Sequence, residues 1–212
     1  MLLRRAFLLL LLSLAVQGIW PVVLPSALLA APASNPGAFI ENLASQALAT
    51  ITQNASEADR EKVFRALLDN NFDVPRITRF VLGRYWLSAS DQEKQQFQSL
   101  FETYVVRAYS NRFSEYSGQK VKVAGSRAQS ADLTVVASQI LQPNGAAPVK
   151  VDWVVAKNGD DYRITDVSVE GVSMVLTEKQ QFAAVIERDN NGVAGLNKAL
   201  MAKLNGNDTA LK

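Results

Sequence analysis

Three observations predict an α+β fold in which one antiparallel sheet packs against helices at both ends of the chain. Apolar residues recur at helical spacing from Phe39 to Ala108, alternate with charged ones from Gly118 onward, and return to helical spacing after Glu178. Short turn signals join the alternating segments, so successive strands pair with their sequence neighbours and not through crossovers. Neither a repeat nor an internal linker breaks this order, which puts residues 34–205 in a single domain.

Taken in order, Asn35-Pro36 opens a first helix, with a cap followed by an early proline. Its apolar face is Phe39, Ile40, Leu43, Ala47, Leu48 and Ile51. Ser56-Glu57-Ala58-Asp59 resembles a capping box and starts a second helix, whose apolar face is Val63, Phe64, Leu67 and Leu68. Asp73 caps a third, with Pro75 in its first turn and Gly83 near its end. Ser90-Asp91-Gln92-Glu93 is a cleaner box before the longest stripe: Phe97, Leu100, Phe101, Tyr104, Val105 and Ala108.

After Gly118, Val121 and Val123 alternate with Lys120 and Lys122, as in a half-buried strand. Asp132 to Leu141 is a second strand, and Pro143-Asn144-Gly145 a turn. Val149, Val151, Trp153 and Val155 then alternate with Lys150 and Asp152. Asn158-Gly159 is the strongest hairpin signal, leading into Tyr162-Arg163-Ile164. Glu178 to Arg188 and Val193 to Leu204 read as closing helices, and the polar tail 206–212 is expected to fray.

The N-terminus carries an address. Met1 to Arg5 is basic, Ala6 to Val16 is apolar apart from Ser13, and Ala31-Pro32-Ala33 fits a cleavage site that leaves Ser34 first. Residues 1–33 therefore read as a signal peptide of an exported protein. Pro21 and Pro25 count against an uncleaved anchor, although Ile19 to Leu29 prolongs the apolar run. Without Arg4 and Arg5 the remaining 20 basic and 20 acidic residues cancel, which argues against a dedicated nucleic-acid binder.

Chemistry is hard to place. With no cysteine and no histidine, disulfides, thiol and Ser-His nucleophiles and the usual zinc sites are excluded. Asp160-Asp161 lacks the calcium-loop ladder and sits in a turn. Ser168 and Ser173 lie outside any nucleophile elbow. No metal, cofactor or catalytic residue is expected. Asp152 and Asp166, on strands beside an apolar cavity, keep open one alternative: a ketosteroid-isomerase-like enzyme using a carboxylate base. Against it, Asp152 alternates with Val151 and Trp153 and so points outward if they point in.

The aromatic distribution points elsewhere. Ten of the fifteen aromatics after residue 33 fall between Phe72 and Tyr116. Each taken singly is first a core residue, and each arginine first a solvated side chain. Together they can form a wall and a mouth around an apolar cavity between helices 72–113 and the sheet around 151–172. The wall is assigned to Phe72, Ile77, Phe80, Val81, Tyr85 and Trp86, to Leu100, Phe101 and Tyr104, and to Val151, Trp153, Val169 and Met174. The mouth is assigned to Arg76, Arg79, Arg84 and Arg107, since guanidinium matches phosphate with a bidentate fork. Gly83 and Gly171 would let the backbone bend near the opening. Buried methylenes are worth roughly 0.8 kcal/mol each, so two long acyl chains would supply a gross term on the order of 20 kcal/mol. Storage needs no catalytic group.

Three stretches, "FDVPRITRFVLGRYW", "QFQSLFETYVVRAYSNRFSEYSGQKVKV" and "VSVEGVSMVLTEKQQFAAVI", resemble the MlaC (Ttg2D, toluene-tolerance) family of periplasmic lipid-binding proteins. The resemblance runs in order from about Phe39 to Leu204. It implies an NTF2-like curved sheet, a deep cavity for phospholipid acyl chains, and a headgroup near solvent. It further implies a soluble auxiliary component of an ABC transport system, maintaining outer-membrane lipid asymmetry. Its partners would be an outer-membrane lipoprotein complex and an inner-membrane ABC transporter with an MCE-domain subunit. A branch of the family is associated with hopanoid transport, which leaves hopanoid as the alternative cargo. The family pattern carries an arginine where this chain has Lys179, so the bidentate fork is missing there.

Overall fold

Polar caps fix where the helices begin. In the computed structural model, which describes residues 35–50, 56–110, 118–207 and 209–211, Asn35 Oδ1 accepts from Ala38 N at 2.9 Å ahead of α1 (Pro36–Thr50). Ser56 Oγ accepts from Asp59 N ahead of α2 (Glu57–Asn71), and Asp73 caps α3 (Val74–Leu82) through Arg76 N. Gly83 ends α3 at φ +52°, and a 3-10 turn, Gly83–Trp86, follows. Ser90 and Glu93 form a reciprocal box ahead of α4 (Asp91–Ser110): Ser90 N donates to Glu93 Oε2 at 2.7 Å and Glu93 N to Ser90 Oγ at 3.2 Å.

The sheet is an open five-stranded antiparallel meander in chain order: β1 (Lys120–Ala128), β2 (Leu133–Leu141), β3 (Val149–Asn158), β4 (Asp161–Val169) and β5 (Val172–Ser173). Asn158 pairs with Asp161 across a two-residue turn with Gly159 at φ +61°, as the Asn-Gly signal predicts. Register shifts at Val123/Gly125 and Val154/Val155 are bulges, which add local twist and curve the sheet. Two helices close the chain, α5 (Met174–Asp189) and α6 (Gly192–Leu204). The α+β class with a curved antiparallel sheet agrees with the sequence reading.

Three details differ from expectation. The first closing helix starts at Met174, not Glu178, because Ser173 Oγ accepts from Leu176 N and donates to Asp166 Oδ2 at 2.6 Å. The short β5 was not expected; it forms because Glu170 and Gly171 adopt φ +49° and +82°, the left-handed pair that a tight hairpin needs. The tail was expected to fray, yet Leu211 is buried in the helical core. The signal-peptide assignment, Ile51 and Phe113 lie outside the described residues.

Packing falls into three clusters. Ile40 and Leu43 of α1 cover one sheet face, hereafter the inner face, against Val136, Val155 and Ile164, with Trp153 and Val167 beside them. A helical cluster joins α3, α4, α5 and α6 around Phe97, Phe101, Phe182, Leu196 and Leu200. A smaller one links α2 to α3 and α4 through Leu68, Val74 and Val106. Phe72 packs against all three, and its backbone bridges to Ile164 while Asp73 N donates to Ile164 O at 2.9 Å. One aromatic residue thus ties the helices to the sheet. Among the described residues no helix is long and apolar enough to cross a membrane.

Candidate functional site

The inner face is apolar beyond the part that α1 covers. Register pairs Val151 with Ser138 and with Val169, and Trp153 with Val136 and with Val167, so all share that face. Its polar atoms satisfy each other: Trp153 Nε1 donates to Ser138 Oγ at 2.9 Å, and Ser138 Oγ donates to Val151 O at 3.0 Å. Val151 and Ser138 are buried although neither belongs to the α1 cluster. These side chains thus form an apolar surface whose own polar atoms are met.

The residues assigned to the wall divide into two groups. Val151, Trp153 and Val169 stand together on the inner face, with Phe72 at its border. Ile77, Val81 and Phe101 are buried in the helical cluster, and Tyr85, Trp86, Leu100 and Tyr104 pack against it half-buried. Met174 opens α5 and accepts from the Tyr109 hydroxyl through Sδ at 3.9 Å. Phe80 is separate: it is 50% exposed and carries Lys179 Nζ 4.4 Å above its ring. Lys179 keeps a cation at its position, stacked on an aromatic face.

The four arginines are not gathered by a common partner. Arg76 bonds Asp132 at the β1–β2 turn at 3.1 Å, and Arg84 bonds Glu187 near the end of α5 at 2.6 Å. Arg107 donates to the Leu204 carbonyl at the C-terminus of α6. Arg79 is exposed. Three of them thus fasten separate elements.

Neither candidate base faces the inner surface. Asp152 pairs with Ala137 and Ser168, and Asp166 with Val154, all on the face opposite Trp153. Asp166 also accepts from Ser173 Oγ and from Val175 N at 3.2 Å, which commits it to the start of α5. The isomerase-like alternative loses its base. No group of three or more metal-ligating side chains occurs among the described residues.

Sequence reading missed Glu178. It is 7% exposed, has an oxygen without a hydrogen-bond partner, and is pushed up to about 7 by desolvation. Met174 and Phe182 lie one turn away on either side, so a carboxylate interrupting an apolar i, i+4 stripe was the available signal. Opposite stands Tyr104, which meets Phe182 at 5.9 Å and is pushed up to about 12, first by burial and then by the charge of Glu178.

The model of the family described as "MlaC protein" matches residues 41–202, from the second turn of α1 to two residues short of the end of α6. The chain belongs to the MlaC family. Among its MlaC and Ttg2D relatives, the toluene tolerance protein ttg2D of Pseudomonas putida is 24% identical over 120 residues, covering 56% of this chain and 55% of that protein. The chain thus matches only about half the length of that relative. The intermembrane phospholipid transport system binding protein MlaC of Haemophilus influenzae is 20% identical over 163 residues, covering 73% of this chain and 76% of its own. Among solved structures, the phospholipid-binding protein from Ralstonia solanacearum, in complex with a phospholipid, superposes with TM-score 0.70 at 28% identity. That likeness covers 86% of this chain and 100% of the Ralstonia chain. The fold is thus shared with a phospholipid-bound structure over 86% of this chain.

Proposed function

We propose that this protein is a periplasmic phospholipid carrier, the soluble component of an ABC transport system that moves lipid between outer and inner membranes. The reading rests chiefly on one observation: the fold matches the whole length of a phospholipid-binding protein whose structure contains a phospholipid. The inner face supports it, because Val151, Trp153 and Val169 present apolar surface with its polar atoms already satisfied. Acyl chains lie against that face, between it and the half-buried side of α4 and α5 that carries Leu100, Tyr104 and Met174. Phe72, Ile77, Val81 and Phe101 back this wall from the core. The proposed partners are an inner-membrane ABC transporter with an MCE-domain subunit and an outer-membrane lipoprotein complex. Binding without turnover is the activity, so the protein acts as a carrier and not as an enzyme.

Native mass spectrometry of protein purified without detergent, with its organic extract analysed, tests the reading. A stoichiometric two-chain phospholipid is the expected result. A hopanoid would replace the cargo and keep the carrier role. An unliganded mass, with no uptake from supplied lipid, would overturn the proposal.

A further inference from the structure

Glu178 lies on a helix face where burial is not offset by any partner. One of its oxygens is sealed from solvent and has no hydrogen-bond partner, and none of the ion pairs among the described residues includes it. Native proteins rarely leave such a group unmet, and Glu178 lies one turn from Met174, on the side of α5 assigned above to the proposed binding space, so a ligand atom there could meet it. The titratable groups on the elements around it are engaged elsewhere or exposed. Tyr104 of α4 is hydrogen-bonded to Gln181, and the Tyr109 hydroxyl points to Met174 Sδ. Asp166 of β4 holds Ser173 and Val175, Lys179 lies over Phe80, and Arg79 of α3 and Lys198 of α6 are exposed.

We propose that Glu178, in its protonated form, donates a hydrogen bond to an ester carbonyl of a bound acyl-glycerol lipid. The inference rests on the carrier reading above and adds the ligand class that the buried wall would select. Burial favours the neutral acid, which is a donor, and a raised carboxyl affinity for the proton agrees with that. A phosphate or an ammonium would have to give up its hydration to reach this depth, whereas a carbonyl is a neutral acceptor that loses little. The donor also separates lipids of equal apolar bulk, because a buried group left unpaired penalises an analogue that lacks its partner.

The test compares a diester phosphatidylglycerol with the diether lipid of the same chain length, both offered to delipidated protein at pH 6. The unsubstituted protein should prefer the diester by about fivefold to tenfold, the ratio that one net hydrogen bond supplies. Glu178→Gln keeps a neutral donor and should keep the preference at both pH 6 and pH 8. Glu178→Leu keeps the bulk and should abolish it, with circular dichroism showing the fold intact. An equal preference in Glu178→Leu and the unsubstituted protein would overturn the assignment. So would tighter binding at pH 8 than at pH 6, because the ionised carboxylate cannot donate to a carbonyl. If neither lipid binds the unsubstituted protein, the phospholipid-cargo reading itself fails, a result distinct from the other two.

Discussion

At Glu178 a single carboxyl couples stability to pH, and the sign follows from the direction of its shift. Desolvation raises it from 4.5 to about 7, so in the folded protein the proton is held more tightly than in the unfolded chain. The folded state therefore loses stability as pH rises from 4.5 through 7, the reverse of a salt-bridged carboxylate. The span corresponds to roughly 3 kcal/mol at pH 8, since one unit is about 1.4 kcal/mol. Glu178→Gln, free of that ionisation, should flatten the slope and be more stable than the unsubstituted delipidated protein at pH 8, with little difference at pH 4.5. Urea melts at the two pH values measure this, and equal slopes in both proteins would remove the burial argument. Asp166 matters through geometry. It accepts from Ser173 Oγ and Val175 N, so Asp166→Ala should cost about 1–2 kcal/mol and fray the first turn of α5, read as faster amide exchange at Val175 and Leu176.

Elements show which signals a sequence carries and which it hides. The starts of α2, α3 and α4 were legible because Ser56, Asp73 and Ser90 each meet their own backbone three residues on. The β3–β4 hairpin was legible because Asn158-Gly159 supplies a conformation that few dipeptides reach. The start of α5 was not: Ser173 meets Leu176 N three residues on as the other caps do, but no acidic or amide partner stands at the third position and Asp166, seven residues back, holds the cap instead. Of the candidate site, the shared face of Val151 and Trp153 followed from period-2 alternation, and the burial of Glu178 was signalled only by its place in the Met174–Phe182 stripe, whereas the arginine partners are long-range facts that no local pattern encodes. Gly83 is intermediate: its role as a helix end was legible, its contact was not. A Cβ there would come within 3.0 Å of Lys179 Cε, but the φ of +52° is the firmer constraint, because a lysine end can move and the backbone cannot. Gly83→Ala should cost about 1–3 kcal/mol, and adding Lys179→Ala should not restore it. Full restoration in the double variant would show that the side-chain clash dominates.

Across the whole molecule, the inner-face cluster and the helical cluster meet through Phe72, and the proposed ligand lies along the same boundary. A ligand that binds only the folded state stabilises it by mass action, about 2.7 kcal/mol at one hundred times its dissociation constant. Delipidated protein should therefore melt several degrees lower than lipid-loaded protein, with the gap widening as lipid is added. An adaptor with an ordinary aromatic core would show no such gap. Val169→Asp separates the two cases: Val169 is half-buried on the face shared with Val151, and a charge there should abolish the lipid-dependent rise. Its effect on the delipidated melt should be smaller than that of Phe72→Ala, which removes the ring common to all three clusters and should cost about 3 kcal/mol with or without lipid. Scanning calorimetry of the two variants against a lipid titration distinguishes wall from keystone. A Val169→Asp protein that still gains stability from lipid would place the acyl chains away from the inner face.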